Sequence, residues 1–90
     1  MKVLFTRDGW DDYRYWVETD PATLVRLNAL IEDAKRHPFT GLGKPEALKG
    51  DLKGWWSRRI TGAHRLVYRA SGQAEDQRLE IVACHYHYGE

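Results

Sequence analysis

The 90-residue chain carries 14 basic and 13 acidic side chains, and 42% of its residues are hydrophobic, a composition typical of one small globular domain. No apolar run approaches the roughly 18 residues that a membrane span needs, and Arg7 and Asp8 interrupt the first apolar run too soon for a signal peptide. A single cysteine, Cys84, excludes an internal disulfide framework and a cysteine-based zinc site, so the sequence predicts a protein of the reducing cytoplasm.

The first predicted elements are a short strand and a helix. Residues 1–6 hold β-branched and aromatic side chains and predict a strand. Thr6 or Asp8 can then cap a helix over about residues 9–19. Its large apolar side chains recur near helical spacing, which is more often typical of a core face than of a ligand site, and these are Trp10, Tyr13, Trp16 and Val17.

A second helix is predicted directly after the first. Asp20 is suited to cap it and Pro21 to occupy its first position, while Pro38 ends it after about Lys35. One apolar stripe follows the helical period and comprises Leu24, Leu27, Leu30, Ile31 and Ala34. Two amphipathic helices with so short a break between them predict a helical hairpin.

The second half of the chain predicts a long loop followed by three strands. Residues 39–54 are punctuated by glycines and a proline, and a short helical turn fits residues 46–49. A loop of this length inside a small domain is more often functional than idle. Strand-like runs follow at residues 55–60, 64–69 and 78–88. The order β-α-α-β-β-β predicts one α+β domain over residues 1–90, with a helical hairpin packed on one face of a mostly antiparallel sheet.

Positive charge is concentrated in the middle of the chain. Residues 35–69 carry nine basic and two acidic side chains, a net charge of +7, whereas the segments on either side each carry −3. Such a segment can form a face that binds a polyanion, and a sheet with helices on one side and arginines on the other is suited to nucleic acid. The alternative is a solvated surface whose charges are balanced elsewhere in the fold.

The strand pattern assigns the arginines of this segment to sheet faces. Alternation sends Arg58 and Arg59 to opposite faces, so one of them must point toward the helices unless a bulge intervenes. Arg65 and Arg69 fall on one face together with Val67. These arginines are either surface residues of a sheet or a set of guanidinium groups aimed at phosphate, whose oxygens fit their fork of donors.

Two further places could carry chemistry, namely the C-terminal strand and the long loop. On the strand, His85 and His87 share one face, and Tyr86 and Tyr88 share the other. This run could bind a metal, pack as core, or place His87 as an acid or base near neutral pH with Tyr88 as a ring for stacking a base. In the loop, Glu46 is either an ion-pair partner of the surrounding lysines or a proton acceptor in an anion site.

Five short motifs occur in order along the chain: WDDYRYW at residues 10–16, KPEALK at 44–49, WSRRI at 56–60, HRLVY at 64–68 and YHY at 86–88. Together they resemble the YoeB-type toxins of bacterial type II toxin–antitoxin systems, within the RelE superfamily, and the resemblance spans nearly the whole chain. It implies a RelE-like fold and an mRNA interferase, which is a ribosome-dependent endoribonuclease that cuts mRNA in the ribosomal A site and so inhibits translation.

The resemblance also implies which residues act. The family's catalytic positions match Glu46, Arg65, His87 and Tyr88, and positive positions near the family's site match Lys49 and Arg59. RNA carries its own nucleophile in the 2′-hydroxyl, so one acid and one base suffice for cleavage, and no metal or other cofactor is required. Glu46 is a candidate base and His87 a candidate acid, with the reverse assignment open, and Arg65 is suited to stabilise negative charge in the transition state.

The implied partners are a cognate YefM-like antitoxin, the bacterial ribosome with its mRNA, and a second copy of the chain in a homodimer. The antitoxin of this family wraps the toxin with a disordered C-terminal segment, operator DNA would be bound only through the antitoxin complex, and no membrane is involved. In this chain Gly89 and Glu90 follow the His–Tyr pair at which family members commonly end, which adds carboxylates two residues beyond the implied site.

Two other functions remain open from the sequence. The ParE-type toxins share the fold and act by binding gyrase without catalysis, a role that would not need Glu46, Arg65 and His87 together. A plain RNA-binding module would bind RNA with strong salt dependence and leave it uncleaved.

Overall fold

Two helices pack on one face of a five-stranded sheet in the computed structural model, which describes residues 1–86 of the chain. In chain order the elements are β1 (Lys2–Phe5), α1 (Arg7–Thr19), α2 (Pro21–Arg36), β2 (Glu46–Ala47), β3 (Trp56–Arg59), β4 (Arg65–Ser71) and β5 (Arg78–Ala83). The strands lie in the order β1-β5-β4-β3-β2, with β1 parallel to β5 and the other neighbours antiparallel. The predicted α+β architecture, a helical hairpin on a mostly antiparallel sheet, is confirmed.

Side-chain caps begin both helices at the positions that the sequence predicts. The Thr6 hydroxyl accepts a hydrogen bond from the Gly9 N–H at 3.1 Å, and the Asp20 carboxylate accepts one from the Thr23 N–H at 3.1 Å. These bonds satisfy amides that have no partner within their own helix. Hydrogen bonds from the hydroxyl and the amide of Thr23 also hold the pKa of Asp20 below its ordinary value. Neither helix, nor any other within residues 1–86, is long and apolar enough to cross a membrane.

The core lies between the helices and the sheet. The predicted α2 stripe is confirmed, because four of its members are buried and the fifth packs against the core; in chain order these are Leu24 (the partly buried member), Leu27, Leu30, Ile31 and Ala34. The sheet side of the core is made mainly by Leu66, Tyr68, Leu79 and Ile81.

The predicted core face of α1 is partly wrong. Trp16 is only 5% exposed, but Trp10 and Val17 are 48% and 50% exposed. The helix meets the sheet through Gly9, where a Cβ would lie 2.3 Å from the carbonyl oxygen of Ile81, so no larger residue fits there. Because Gly9 and Trp16 are seven residues apart, they face the sheet together, and this orientation turns Trp10 and Val17 outward.

The helical turn predicted at residues 46–49 is wrong, because β2 pairs with β3 there. Glu46 lies opposite Ser57, and the Leu48 N–H donates to the carbonyl oxygen of Trp55 at 2.9 Å. Pairing with a neighbouring strand therefore outweighs the local preference of these residues for a helical turn.

The last strand ends earlier than predicted, since β5 stops at Ala83 and does not continue through His85 and Tyr86. The Cys84 N–H donates to Asp12 Oδ2 at 3.0 Å, and the Trp16 Nε1–H donates to the Cys84 carbonyl at 2.7 Å. Side chains of α1 thus take over the backbone groups that a longer strand would have paired. Cys84 also joins the buried core, so the alternation of faces predicted for His85 and the residues around it does not continue past β5.

Candidate active site

Three of the predicted site residues share the sheet face opposite the helices, which we call the open face. Arg59 lies directly opposite Arg65 across β3 and β4, and Glu46 lies opposite Ser57, two residues before Arg59. Residues that face each other across strands, or that are two apart along a strand, point to the same side. The neighbouring Arg58 is fully buried on the helix side, which confirms the prediction that one arginine of this pair points inward.

The two facing arginines form a positive centre on the open face. Like charges directly opposite each other destabilise a strand pair, and an anion bound between them would relieve that repulsion. Arg65 is held in place by the β3–β4 turn, because its Nη1 donates to the carbonyls of Thr61 at 2.9 Å, Gly62 at 3.3 Å and His64 at 3.0 Å. One end of the Arg65 guanidinium is therefore already ordered before any ligand binds.

Glu46 and Lys49 line one groove at the edge of the sheet. The groove has a volume of about 220 Å³ and is lined by residues 46–49. Both side chains are exposed, and Lys49 comes immediately before a short 3-10 helix, Gly50–Leu52. None of the ion pairs in the described part of the chain involves Glu46. Within residues 1–86, the alternative that Glu46 pairs with the lysines around it in the loop is therefore wrong. Its carboxylate is accessible as an acceptor.

Arg58, which sequence reasoning did not single out as functional, lies beneath this site. Its guanidinium donates to Asp33 Oδ2 at 2.6 Å and to the Tyr68 hydroxyl at 2.9 Å. The hydrogen bond from Arg58 holds the pKa of Asp33 below its ordinary value, whereas burial raises the pKa of Tyr68. The signal in the sequence was the adjacent pair Arg58–Arg59 on one strand, since alternation forces one of the two toward the core.

A group of rings holds the segment that follows β5. We call it the aromatic clamp, and it consists of Tyr15, Trp16, His64, His85 and Tyr86. The Tyr86 N–H donates to His64 Nδ1 at 2.7 Å, and the Arg65 N–H donates to the Tyr86 carbonyl at 3.0 Å. The His64 and His85 rings stack with centroids 4.9 Å apart, and Trp16 meets them edge-on at 4.7 and 5.2 Å. This clamp fixes the backbone of Tyr86 beside Arg65.

The remaining predicted site residues, His87 and Tyr88, lie outside the described residues. Near them in sequence, Cys84 is buried, and burial raises the pKa of its thiol to about 12, so the thiol is protonated at neutral pH and is not a nucleophile. Within residues 1–86, no three side chains of His, Cys, Asp or Glu converge as the ligands of a metal ion would.

A second charged group occupies the other end of the open face. Arg69 lies opposite Glu80 and donates to its carboxylate, which also accepts a hydrogen bond from Arg78 Nε at 3.3 Å. The Arg69 guanidinium stacks on Trp55, with its central carbon 4.5 Å from the ring centroid. Arg69, and to a smaller extent Arg78, hold the pKa of Glu80 below its ordinary value. Because Glu80 neutralises part of this charge, the pair Arg59–Arg65 is the less compensated positive end of the face.

Known proteins show the same fold and much of the same sequence. Residues 5–88 match the family described as the YoeB-like toxin of bacterial type II toxin–antitoxin systems. The chain is 52% identical over 88 residues to Toxin YoeB of Escherichia coli K12, in an alignment that covers 98% of this chain and 100% of that protein. It is 56% identical to a YoeB/ParE toxin from Agrobacterium tumefaciens, whose structure superposes with a TM-score of 0.93 over 98% of this chain and 100% of that one.

Two structures of a relative from Staphylococcus aureus show how that protein assembles. One is a YoeB dimer, 36% identical with a TM-score of 0.84, and the other is a heterotetrameric YoeB–YefM toxin–antitoxin complex, 36% identical with a TM-score of 0.85. Each alignment covers 98% of this chain and 98% of the other. The relative therefore binds both a second copy of itself and its antitoxin.

Proposed function

This chain belongs to the YoeB-like toxins of bacterial type II toxin–antitoxin systems, and from that premise we propose that it is a ribosome-dependent endoribonuclease, an mRNA interferase that cuts mRNA in the ribosomal A site and so inhibits translation. The observation that carries the proposal is one sheet face that bears an accessible carboxylate and two facing arginines, Glu46, Arg59 and Arg65. Cleavage of RNA needs a proton acceptor near the 2′-hydroxyl and positive charge around the phosphate, and this face supplies both kinds of group.

The proposed reaction needs only the RNA itself, one general base and one general acid. The 2′-oxygen attacks the adjacent phosphorus while the base takes its proton. The bond from phosphorus to the 5′-oxygen of the next nucleotide breaks, and the acid protonates that leaving oxygen. The products are a 2′,3′-cyclic phosphate and a 5′-hydroxyl. Negative charge grows on the phosphorane-like transition state, where Arg65, facing Arg59, would stabilise it.

Glu46 is our candidate for the base and His87 for the acid. Glu46 forms no ion pair within residues 1–86, so its carboxylate can accept a proton, and an imidazole can donate one near neutral pH. In the reverse assignment, His87 is the base that takes the proton of the 2′-hydroxyl and Glu46 is the acid that protonates the leaving 5′-oxygen. Tyr88 would stack a base or orient the substrate, and Lys49, which shares a groove with Glu46, would contact phosphate.

The positive charge of the open face indicates which partners the chain would bind. A YefM-like antitoxin, of the kind bound in the S. aureus complex, would cover this basic face with a segment of acidic and apolar residues. Operator DNA would be reached through that complex alone. The S. aureus dimer supports a homodimer. Because mRNA on ribosomes is the proposed substrate, we place the toxin in the cytoplasm.

A cleavage assay with one defined mRNA, free and on ribosomes, tests the proposal. We expect a single cut at the A-site codon on ribosomes only, ending in a cyclic or 3′-phosphate and a 5′-hydroxyl. Glu46→Gln, Arg65→Ala and His87→Gln should each lower the single-turnover rate by about a hundredfold or more, because each removes a group that acts in the transition state. The control is Arg36→Gln, at the end of α2, which should cut at the parental rate.

Other results would point to the other functions. Intact mRNA from a preparation that still binds ribosomes would contradict the proposal. Toxicity with intact mRNA and damaged DNA would favour a gyrase-binding toxin of the ParE type. Strongly salt-dependent binding to any RNA, without a cut, would favour an RNA-binding module.

A further inference from the structure

Arg58 is among the largest fully buried side chains of the described residues, and such complete burial is unusual for a charged group. A guanidinium has five N–H donors, and five acceptors surround this one. Two of them are side chains, the Asp33 carboxylate and the Tyr68 hydroxyl. A buried charge strongly destabilises a fold unless it is paired and hydrogen-bonded in this way. All five acceptors must therefore be in place whenever the Arg58 guanidinium is buried.

The other three acceptors belong to one loop, the connection from α2 to β2. They are the backbone carbonyls of His37, Thr40 and Leu42. The Tyr68 hydroxyl in turn donates to the Pro38 carbonyl, and Asp33 Oδ2 also accepts the Leu42 N–H at 3.0 Å. The loop is therefore wrapped around Arg58 and its two side-chain partners, rather than held by regular secondary structure of its own.

This loop leads directly to the proposed base. Gly43 has φ +79°, and its carbonyl accepts the Arg59 N–H at 2.7 Å. Lys44 follows with φ +53°, a left-handed conformation that a residue with a side chain keeps only where the surroundings hold it. Glu46 comes two residues later. The conformation before Glu46 is thus imposed by the packing of the loop.

Strand β2 cannot hold Glu46 in place by itself. It has two residues, and it lies at the edge of the sheet with a partner on one side only. So short an edge strand has few ladder hydrogen bonds to resist fraying. A displacement of about 1 Å in a reacting group can slow a reaction about a hundredfold. Whatever fixes the loop therefore limits the rate at which Glu46 can act.

We propose that Arg58 is a positioning residue for Glu46. It holds the loop through three carbonyls, the loop holds Lys44 and β2, and β2 presents Glu46 on the same face as Arg59 and Arg65. The inference rests on the proposed function, since it assigns Arg58 to the placement of the proposed base. Two consecutive arginines then have different tasks: Arg59 faces the substrate, and Arg58 supports the residue that takes the proton.

The variant Tyr68→Phe tests this with a small change. It keeps the ring in the core but removes the hydroxyl that accepts from Arg58 Nε and donates to Pro38. We expect kcat for A-site cleavage to fall about tenfold or more with KM for programmed ribosomes unchanged, because the phosphate-facing residues stay in place. In a Glu46→Gln background, Tyr68→Phe should leave the residual single-turnover rate unchanged, since no carboxylate remains to be misplaced.

The matched control is Asp20→Ala, which removes the cap of α2 away from the loop. It should lower the unfolding temperature and leave kcat at the parental value. A loss of kcat in Asp20→Ala as large as that in Tyr68→Phe would overturn the proposal, because general destabilisation would then explain both. An undiminished effect of Tyr68→Phe in the Glu46→Gln background would overturn it as well, and so would a Tyr68→Phe protein with parental kcat.

Hydrogen exchange distinguishes this inference from the proposed function. The Arg59 N–H, bonded to the Gly43 carbonyl, reports on the loop without any cleavage. Tyr68→Phe should speed its exchange and Asp20→Ala should not; equal exchange in parent and Tyr68→Phe would overturn the inference even if the parent cuts mRNA. A parent that leaves mRNA intact would overturn the proposed function, and the role of Arg58 in the reaction with it, whatever the exchange result.

Discussion

The chain is held in two different ways on the two sides of the candidate site. Before β2, the loop is wrapped around a buried charge, Arg58, whose N–H groups donate to five acceptors, three of them backbone carbonyls of the loop. After β5, the segment is held by the aromatic clamp, whose histidine rings are half-buried, and by two hydrogen bonds of the Tyr86 backbone. A buried guanidinium that loses one partner is strongly penalised, whereas stacked rings at a surface lose a little contact at a time. The loop should therefore be the more rigid anchor and also the one that a single change breaks.

The largest expected effect is the loss of that charge. Arg58→Leu leaves the Asp33 carboxylate and the loop carbonyls without their donor, and we expect the free energy of unfolding to fall by about 3–5 kcal/mol. Arg59→Leu is the matched control, because the same substitution one residue along removes an exposed arginine, and it should change the free energy of unfolding by less than about 0.5 kcal/mol. Urea unfolding of both variants measures the difference. Equal losses would show that Arg58 is no anchor.

A smaller effect is expected at the clamp. His64→Phe keeps a ring between Trp16 and His85 but removes the Nδ1 that accepts the Tyr86 N–H. Because Tyr86 is exposed, water can partly replace that acceptor, and we expect a loss of about 1 kcal/mol in the free energy of unfolding.

His37→Phe is the control for the clamp variant. His37 is exposed, and its backbone carbonyl rather than its ring binds Arg58. This substitution should leave the free energy of unfolding near the parental value in the same urea experiment. A loss in His64→Phe as large as that in Arg58→Leu would remove the contrast between the two anchors.

Local signals in the sequence predicted the parts of the fold that local contacts decide. Thr6 and Asp20 cap helices because their partners lie three residues away, and the α2 stripe follows from helical spacing alone. The outward turn of Trp10 could not be predicted in this way. It depends on the fit of Gly9 against Ile81, which is far along the chain.

The candidate site divides along the same line. Strand alternation predicted that one of Arg58 and Arg59 is buried, and the family motifs named Glu46 and Arg65, whose roles stay predictions. No pattern could predict what Arg58 binds, because three of its acceptors are backbone carbonyls, which every residue has. The turn predicted at residues 46–49 was wrong for a related reason, since β2 forms by pairing with β3, a partner that lies outside the local sequence.

The smallest expected effect is on the pH dependence of the free energy of unfolding in acid, and it tests the charge pair formed by Arg58 and Asp33. The hydrogen bond from Arg58 holds the pKa of Asp33 below its ordinary value in the folded state, so the unfolded chain binds the proton first as the pH falls. The stability that this carboxylate contributes is therefore complete above the ordinary carboxyl pKa of about 4 and is lost as the pH falls through the lowered folded value.

Urea unfolding at several pH values below about 6 measures this contribution. The free energy of unfolding should fall less steeply with acid in Asp33→Asn than in the parent, because the substitution removes the carboxyl whose pKa is lowered in the folded state. The difference is modest, since the pKa values of Asp20 and Glu80 are lowered as well and their share of the slope persists in Asp33→Asn. A parental slope in Asp33→Asn would mean that Arg58 is held by the loop carbonyls alone, and that the charge pair adds nothing to the anchor.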